Sequence, residues 1–194
     1  WSIDAEGKLL VEGTGDFASP LPPEETEDYR APWSKYCEGI KSAKINVQGM
    51  TDASYMFWGC ENLSDVDLSG FDTADVTNMC HMFEYCRELK TLDLSGLDTG
   101  KVTDMTWMFN SCHELTELNL GGFNTENVVN MDDMFYDCNE LANIDLSSFN
   151  TKNVVGMNGM FYSCERLTNL DLGSFDTKNV VGMSSMFAGC ERLT

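Results

Sequence analysis

The chain has 194 residues, 42% of them hydrophobic, and carries 12 Lys plus Arg against 32 Asp plus Glu, a net charge of −20. That field repels a phosphate backbone and an anionic membrane surface alike, which excludes nucleic-acid binding and favours a cationic patch on a partner. No apolar run approaches the roughly 20 residues of a membrane span, so no membrane insertion is expected of these residues.

Trp1 to Gly15 alternate apolar and polar residues around Glu6-Gly7, which predicts a β-hairpin. Its expected job is to cover the first coil of a repeat array. Asp16 to Pro32 hold all four prolines and the acidic run Glu24-Glu25-Thr26-Glu27-Asp28, and read as an exposed loop. Ala31-Pro32-Trp33-Ser34-Lys35-Tyr36-Cys37 predicts a short helix opening on Pro, and Ile40, Ala43 and Ile45 a degenerate first strand. Residues 1–36 are thus read as an N-terminal cap and 37–194 as the repeat array.

From Met50 onward the chain rewrites one sentence. Met-Phe-x-x-Cys recurs at Met56, Met82, Met108, Met134, Met160 and Met186, an unbroken period of 26 residues. A fixed period of that size predicts a solenoid in which each coil buries its apolar face only by stacking on its neighbours. In Leu89-Lys-Thr-Leu92-Asp93-Leu94, a leucine-rich-repeat-like strand, Leu92 and Leu94 are expected to point inward and Thr91, Asp93 and Ser95 outward. The column Asp72, Asp98, Asn124, Asn150, Asp176, each followed by Thr, suits Asx-type turns at the corner. Val102-x-x-Met105-x-x-Met108-Phe109-x-x-Cys112 returns the chain, with room only for a helical or 3-10 turn. The repeated Met, Phe and Leu are core, not a cofactor box, and no cofactor is expected. The chain begins inside a strand-like segment and stops in mid-repeat at Glu191-Arg192-Leu193-Thr194. It therefore reads as a piece of a longer protein, in which missing targeting signals carry no information.

Cys37, Cys60, Cys86, Cys112, Cys138, Cys164 and Cys190 form one column, and Cys80 alone stands outside it, at an exposed position. Coils about 4.8 Å apart lie within disulfide reach. An odd, evenly spaced column flanked by Phe and Leu nevertheless predicts small buried hydrophobes, that is, free thiols. Neither a paired Cys-x-x-Cys nor a His cluster supports zinc.

Asn143-Ile-Asp-Leu-Ser-Ser-Phe-Asn-Thr-Lys-Asn-Val-Val-Gly-Met157-Asn-Gly-Met-Phe-Tyr-Ser-Cys164 resembles the coils of the BspA-like leucine-rich-repeat surface proteins of bacteria. Trp1-Ser-Ile-Asp and Ala-Pro-Trp33 resemble that family's N-terminal cap. Leu97 in place of the corner Phe and Asn119 in place of the strand Asp are mild departures. The resemblance covers nearly the whole chain. It implies a right-handed solenoid, β-dominated with short turns, in a secreted or surface-anchored bacterial protein. Some members are adhesins, and the family has no shared catalytic residues.

Function is expected at positions facing out of the core. The strand face carries Asp65, Thr91, Glu117, Asn143, Asn169 and Asp67, Asp93, Asn119, Asp145, Asp171. Carboxylates stacked one coil apart repel, so keeping four of five needs compensation. One source is a basic or amide-rich protein partner, and another is Ca²⁺, although no dense Asp-x-Asp-x-Asp-Gly loop supports calcium. The third is local: each Asp caps a neighbouring donor such as Ser69 or Ser95, with raised pKa values sharing the cost. Trp58, Tyr85, Trp107, Tyr136 and Tyr162 make a second, weaker candidate as exposed anchors or sugar platforms. Catalysis is not expected, because acids in a periodic column form a surface, with no pocket to raise a pKa. The function expected is an extracellular, non-catalytic protein-binding module with an acidic strand face. A structural spacer and a glycan-binding module are the alternatives.

Overall fold

A computed structural model describes residues 1–16 and 31–194. The chain opens with β1 (Ser2–Ile3) antiparallel to β2 (Lys8–Thr14), with Ser2 opposite Leu10 and Ile3 opposite Leu9. Asp4 organises the turn: its Oδ1 accepts the N–H groups of Glu6 and Lys8 at 3.1 and 2.9 Å. Gly7 has φ +85° and a Cβ there would run into the Gly39 carbonyl, so only glycine fits. The expected acidic loop falls largely outside the described residues.

β2 then pairs in parallel, over its full seven residues, with β3 (Ser42–Gln48). Leu9 and Val11 thereby meet Ala43 and Ile45 in the core. Between them a 3-10 helix, Ser34–Gly39, follows Trp33, whose fully buried indole N–H donates to the Met56 carbonyl at 2.9 Å. Asp16 closes this end: its carboxylate accepts the N–H groups of Thr51 and Asp52 and the Thr51 hydroxyl. In later repeats the corresponding Thr77 and Thr103 N–H groups donate instead to the Thr51 and Thr77 carbonyls. The carboxyl is held below the usual range because these three bonds outweigh its partial burial.

β3 passes the parallel pairing to β4 (Asp65–Asp67), and β5 (Thr91–Asp93) pairs in parallel with β6 (Glu117–Asn119). An isolated parallel bridge, Asn143 to Asn169, continues the same row. A second row of parallel bridges joins Asp52, Asn78, Asp104, Asn130, Gly156 and Gly182, each 26 residues from the next. The architecture is strand-dominated, and no sheet closes on itself among the described residues.

Of the helical and 3-10 turns that the sequence allows for the return leg, the structure has the tighter hydrogen-bond pattern, in separate turns. The segments after Met50 make successive turns in which N–H groups bond three residues back, as from Trp58 to Tyr55 and Cys60 to Phe57. Two residues per repeat are left-handed, which stops a helix: Tyr55, His81, Trp107, Asp133, Gly159 and Ser185 in one column, Gly59, Tyr85, Ser111, Asp137, Ser163 and Gly189 in the other. This geometry turns alternate N–H groups toward the following repeat. Ala53, Tyr55, Phe57 and Gly59 donate to the carbonyls of Asn78, Cys80, Met82 and Glu84. The Phe57–Met82 bond recurs for Phe83, Phe109, Phe135 and Phe161, at 2.9 Å each time.

The apolar columns fill the interior. Phe57, Phe83, Phe109, Phe135, Phe161 and Phe187 stack in sequence at 5.3 to 5.9 Å between ring centroids. The Met column beside them is buried from Met50 to Met160, as is the Leu column from Leu63 to Leu167. At the corner, Thr99 Oγ1 donates to the Asn124 carbonyl at 3.0 Å and accepts the Asn124 N–H at 2.8 Å. Thr125 and Thr151 do the same with Asn150 and Asp176. Thr73, one repeat before the Leu97 corner, buries a hydroxyl with no partner among the described residues.

The cysteine column departs from expectation at one end. Cys37 and Cys60 form a disulfide, with Cα atoms 4.3 Å apart. The other members are free, and Cys86, Cys112, Cys138, Cys164 and Cys190 each direct Sγ at the carbonyl of the Phe 29 residues earlier. The shorter segment between Cys37 and Cys60, 23 residues instead of 26, goes with this pairing. Cys80 is half-buried rather than exposed. Its burial, and then the charges of Asp104 and Asp52, push its thiol up to about 12.

Candidate functional site

The strand rows bring the expected acidic positions onto one face. Asp65, Asp93, Glu117, Asn119, Asn143, Asp145, Asn169 and Asp171 are exposed and Asp67 is half-exposed. A shallow groove crosses three strands between Asp93 and Asp145, with Glu117, Leu118 and Asn119 at its middle. Leu118 and Ile144 are only partly buried there, so apolar surface lies between the polar rows.

Every member of the second column makes the same local bond. Oδ1 of Asp67, Asp93, Asn119, Asp145 and Asp171 accepts the N–H two residues on, from Ser69, Ser95, Gly121, Ser147 and Gly173, at 2.8 to 3.1 Å. These caps fix the carboxylates in direction. They also correct the expectation of raised pKa values. Lys44 and then Ser69 hold the Asp67 carboxyl well below the usual range, and the Ser95 and Ser147 N–H groups lower Asp93 and Asp145. Hydrogen bonds to the ionised form, with water around it, outweigh the mutual repulsion.

Lys44 shows what the second oxygen can do. It lies opposite Asp67 in the β3–β4 register, and its Nζ sits 2.6 Å from Asp67 Oδ2. Asp93, Asp145 and Asp171 pair with no cation among the described residues. No group of three or more His, Cys, Asp or Glu that could hold a metal ion occurs among the described residues.

The aromatic candidates are half-buried rather than exposed, and they divide into two groups. Trp58 and Tyr85 meet edge to face at 5.8 Å, with the Arg87 guanidinium 5.6 Å from the Tyr85 ring centre. Trp107, Tyr136 and Tyr162 belong to a ladder that also contains Tyr55 and His81. Tyr55 and His81 stand in the column of Trp107 but are not among the candidates the sequence suggests. Glu84, buried, joins the groups: its Oε2 accepts the Trp58 indole N–H at 2.9 Å and contacts His81 Nδ1. Asn110 and Asp133 were also missed. The available signal was the break in periodicity, since one position reads Tyr55, His81, Trp107, Asp133, Gly159 and another Trp58, Glu84, Asn110, Tyr136, Tyr162.

The sequence model of a family described as "Mycoplasma protein of unknown function, DUF285" matches residues 33–141 and, in an overlapping second match, 112–194. No curated protein matches the chain.

Proposed function

We propose, for a chain that belongs to this DUF285 family, a right-handed leucine-rich-repeat-like solenoid of the BspA-like kind. It works at the cell surface as a non-catalytic protein-binding module, and its acidic strand face receives basic side chains of an extracellular partner. One observation carries the reading. Asn119 caps its turn as well as the four aspartates do. The cap can therefore be closed by an amide oxygen, and the turn does not require the charge of Asp67, Asp93, Asp145 and Asp171. Lys44 on Asp67 supplies the geometry by which a partner's ammonium would use the outer oxygen. The lowered pKa values of Asp93 and Asp145 suit permanent charge and do not suit a general acid, which needs its pKa raised toward the working pH.

The test is binding of the whole chain to a panel of purified basic and acidic extracellular proteins, with an Asp93→Asn/Asp145→Asn variant alongside. Retention of basic proteins that falls in the variant and in about 1 M salt is the expected result. Equal retention by variant and parent would move function off this face. A spacer role is the second reading, supported by the unbroken Phe57-to-Phe187 stack. It predicts indifference to the entire panel.

A further inference from the structure

Three rows of the strand face line one groove: Thr91-Leu92-Asp93 in β5, Glu117-Leu118-Asn119 in β6, and Asn143-Ile144-Asp145 one repeat further on. The first and third residue of each row are exposed, and only one of the two is a carboxylate. That carboxylate changes sides. Asp93 and Asp145 stand in the second column, whereas β6 has the amide of Asn119 there and its charge at Glu117, in the first. In the β5–β6 register Glu117 lies opposite Thr91 and Asn119 opposite Asp93, and the Asn119 amide hydrogen-bonds the Asp93 carboxylate. The three charges therefore form a triangle, with Glu117 set to one side of the line from Asp93 to Asp145.

The stack does not impose this arrangement. Beyond the groove, Asn169-Leu170-Asp171 repeats the pattern of Asn143-Ile144-Asp145, with Asp171 in line with Asp145. Like charges directly opposite destabilise a sheet, yet the chain keeps such a pair there and has none inside the groove. An occupied example shows what the second column receives. Lys44, from the neighbouring row, places Nζ 2.6 Å from Asp67 Oδ2 while Asp67 Oδ1 caps its turn. Asp93, Glu117 and Asp145 hold no such cation among the described residues, and Lys90, beside the groove in sequence, lies 3.9 Å from Glu114 instead.

We propose that this groove receives a protein segment in the polyproline II conformation, lying across the strands with basic side chains at its first and fourth residues and a third between them. The inference rests on the reading of the strand face as a protein-binding surface and gives the partner its shape. Strands about 4.8 Å apart put Asp93 and Asp145, two rows apart, roughly 9–10 Å from each other. Polyproline II repeats its direction every three residues over about 9.3 Å, so the first and fourth side chains meet the two aspartates. The residues between them point about a third of a turn away, and one of the two faces the Glu117 column. A β-strand returns to the same side about every 6–7 Å and falls out of step with the aspartates. An α-helix, about 10–12 Å across, is wider than the roughly 6–7 Å between the two columns and rides above the groove. A single extended chain reaches the partly buried Leu118 and Ile144 between them. Three carboxylates without cations supply the charge complementarity.

The experiment titrates the whole chain into two labelled peptides of equal composition and charge, at low ionic strength, and follows fluorescence anisotropy. One, Pro-Pro-Lys-Lys-Pro-Lys-Pro-Pro, carries lysines in the proposed spacing; its isomer, Pro-Pro-Lys-Pro-Lys-Pro-Lys-Pro, does not. The variant Glu117→Asn/Asn119→Asp moves the middle charge into line without changing the net charge, and gives that row the Asn-Leu-Asp of Asn169-Leu170-Asp171, so its fold is preserved. We expect the parent to bind the first peptide at least fivefold more tightly than the isomer, and the variant to bind both alike while retaining basic proteins as the parent does. Equal binding of the two isomers by the parent, or no binding of either, overturns the proposal, as does a preference that survives in the variant. If basic proteins are still retained in those cases, the acidic-face reading stands and only the shape assigned to the partner falls. Loss of basic-protein binding as well removes both.

Discussion

Phe109→Ala tests the claim that the fold is held by columns rather than by any one repeat. Phe109 is fully buried and stacks on Phe83 at 5.9 Å and on Phe135 at 5.5 Å. Truncation removes the ring from a lining that cannot close up, because the backbone on either side is tied by the Phe83–Met108 and Phe109–Met134 hydrogen bonds. A buried Phe→Ala change costs about 3–5 kcal/mol, and losing two ring pairs places this one toward the upper end. Phe187 is the control: it is 37% exposed and stacks on Phe161 alone, at 5.8 Å. Its truncation should cost roughly 1–2 kcal/mol, scaled down from the same range. The four tryptophans, Trp1, Trp33, Trp58 and Trp107, all precede Phe109, so their emission reports the N-terminal side while circular dichroism reports the whole. In urea the parent should show coincident transitions by both probes, and Phe109→Ala should separate them as nearest-neighbour coupling is cut in the middle. Equal costs at the two positions, or a Phe109→Ala cost below about 1 kcal/mol, would refute the reasoning.

The corner threonines give a paired prediction. Thr73→Val should leave stability unchanged or raise it by up to about 1 kcal/mol, because the buried hydroxyl it removes has no partner among the described residues, whereas Thr99→Val should cost roughly 1–3 kcal/mol by stranding the Asn124 N–H. Urea midpoints of the two variants decide it. The carboxylates divide by sign. Asp67, Asp93 and Asp145 are lowered in the folded chain, so each contributes stability that is complete above the unfolded value near 3.9 and is lost as pH falls through the folded one. Asp133 is raised, so its ionised form opposes folding and falling pH relieves it. Melting temperatures should therefore rise at pH 7 but not at pH 3 for Asp133→Asn, and fall at pH 7 for Asp93→Asn; a shared sign at pH 7 contradicts the assignment.

The parts of the fold written in the sequence are those that repeat. The Met, Phe, Leu and Cys columns are core because a 26-residue unit has nothing else to bury them against, and the structure buries them up to the last repeat, where Met183 and Phe187 are exposed. The corner aspartates and asparagines cap the N–H two residues on, at Asp72, Asp98, Asn124, Asn150 and Asp176, as Asx chemistry predicts. The left-handed residues were illegible because the usual signal, glycine, stands at only Gly59, Gly159 and Gly189 of the two columns, while Tyr55, His81 and Trp107 occupy the same conformation. A helical stripe and this turn series share their apolar spacing, so periodicity alone left a helical and a 3-10 turn both open, and the structure has the i to i−3 bonds of the second. The Cys37–Cys60 disulfide was hidden for a related reason: its column continues as free thiols, and only the shortened spacing marks the difference.

The same turn series explains why the side chains at the left-handed positions can vary. Donors at Ala53, Tyr55, Phe57 and Gly59, and their counterparts in later repeats, bond backbone to backbone. The conformation at the left-handed positions is therefore set by the ladder rather than by the side chain it carries, at a cost of about 1–2 kcal/mol for each non-glycine residue. Tyr, His, Trp, Asp, Gly and Ser all occupy one such column with φ between 55° and 60°. The apolar Phe column cannot vary this way without opening a cavity. The left-handed column, most of it half-exposed, can. Repetition thus marks what the stack requires, and the half-exposed departures from it at Asp133 and Tyr136 mark positions that stacking does not dictate.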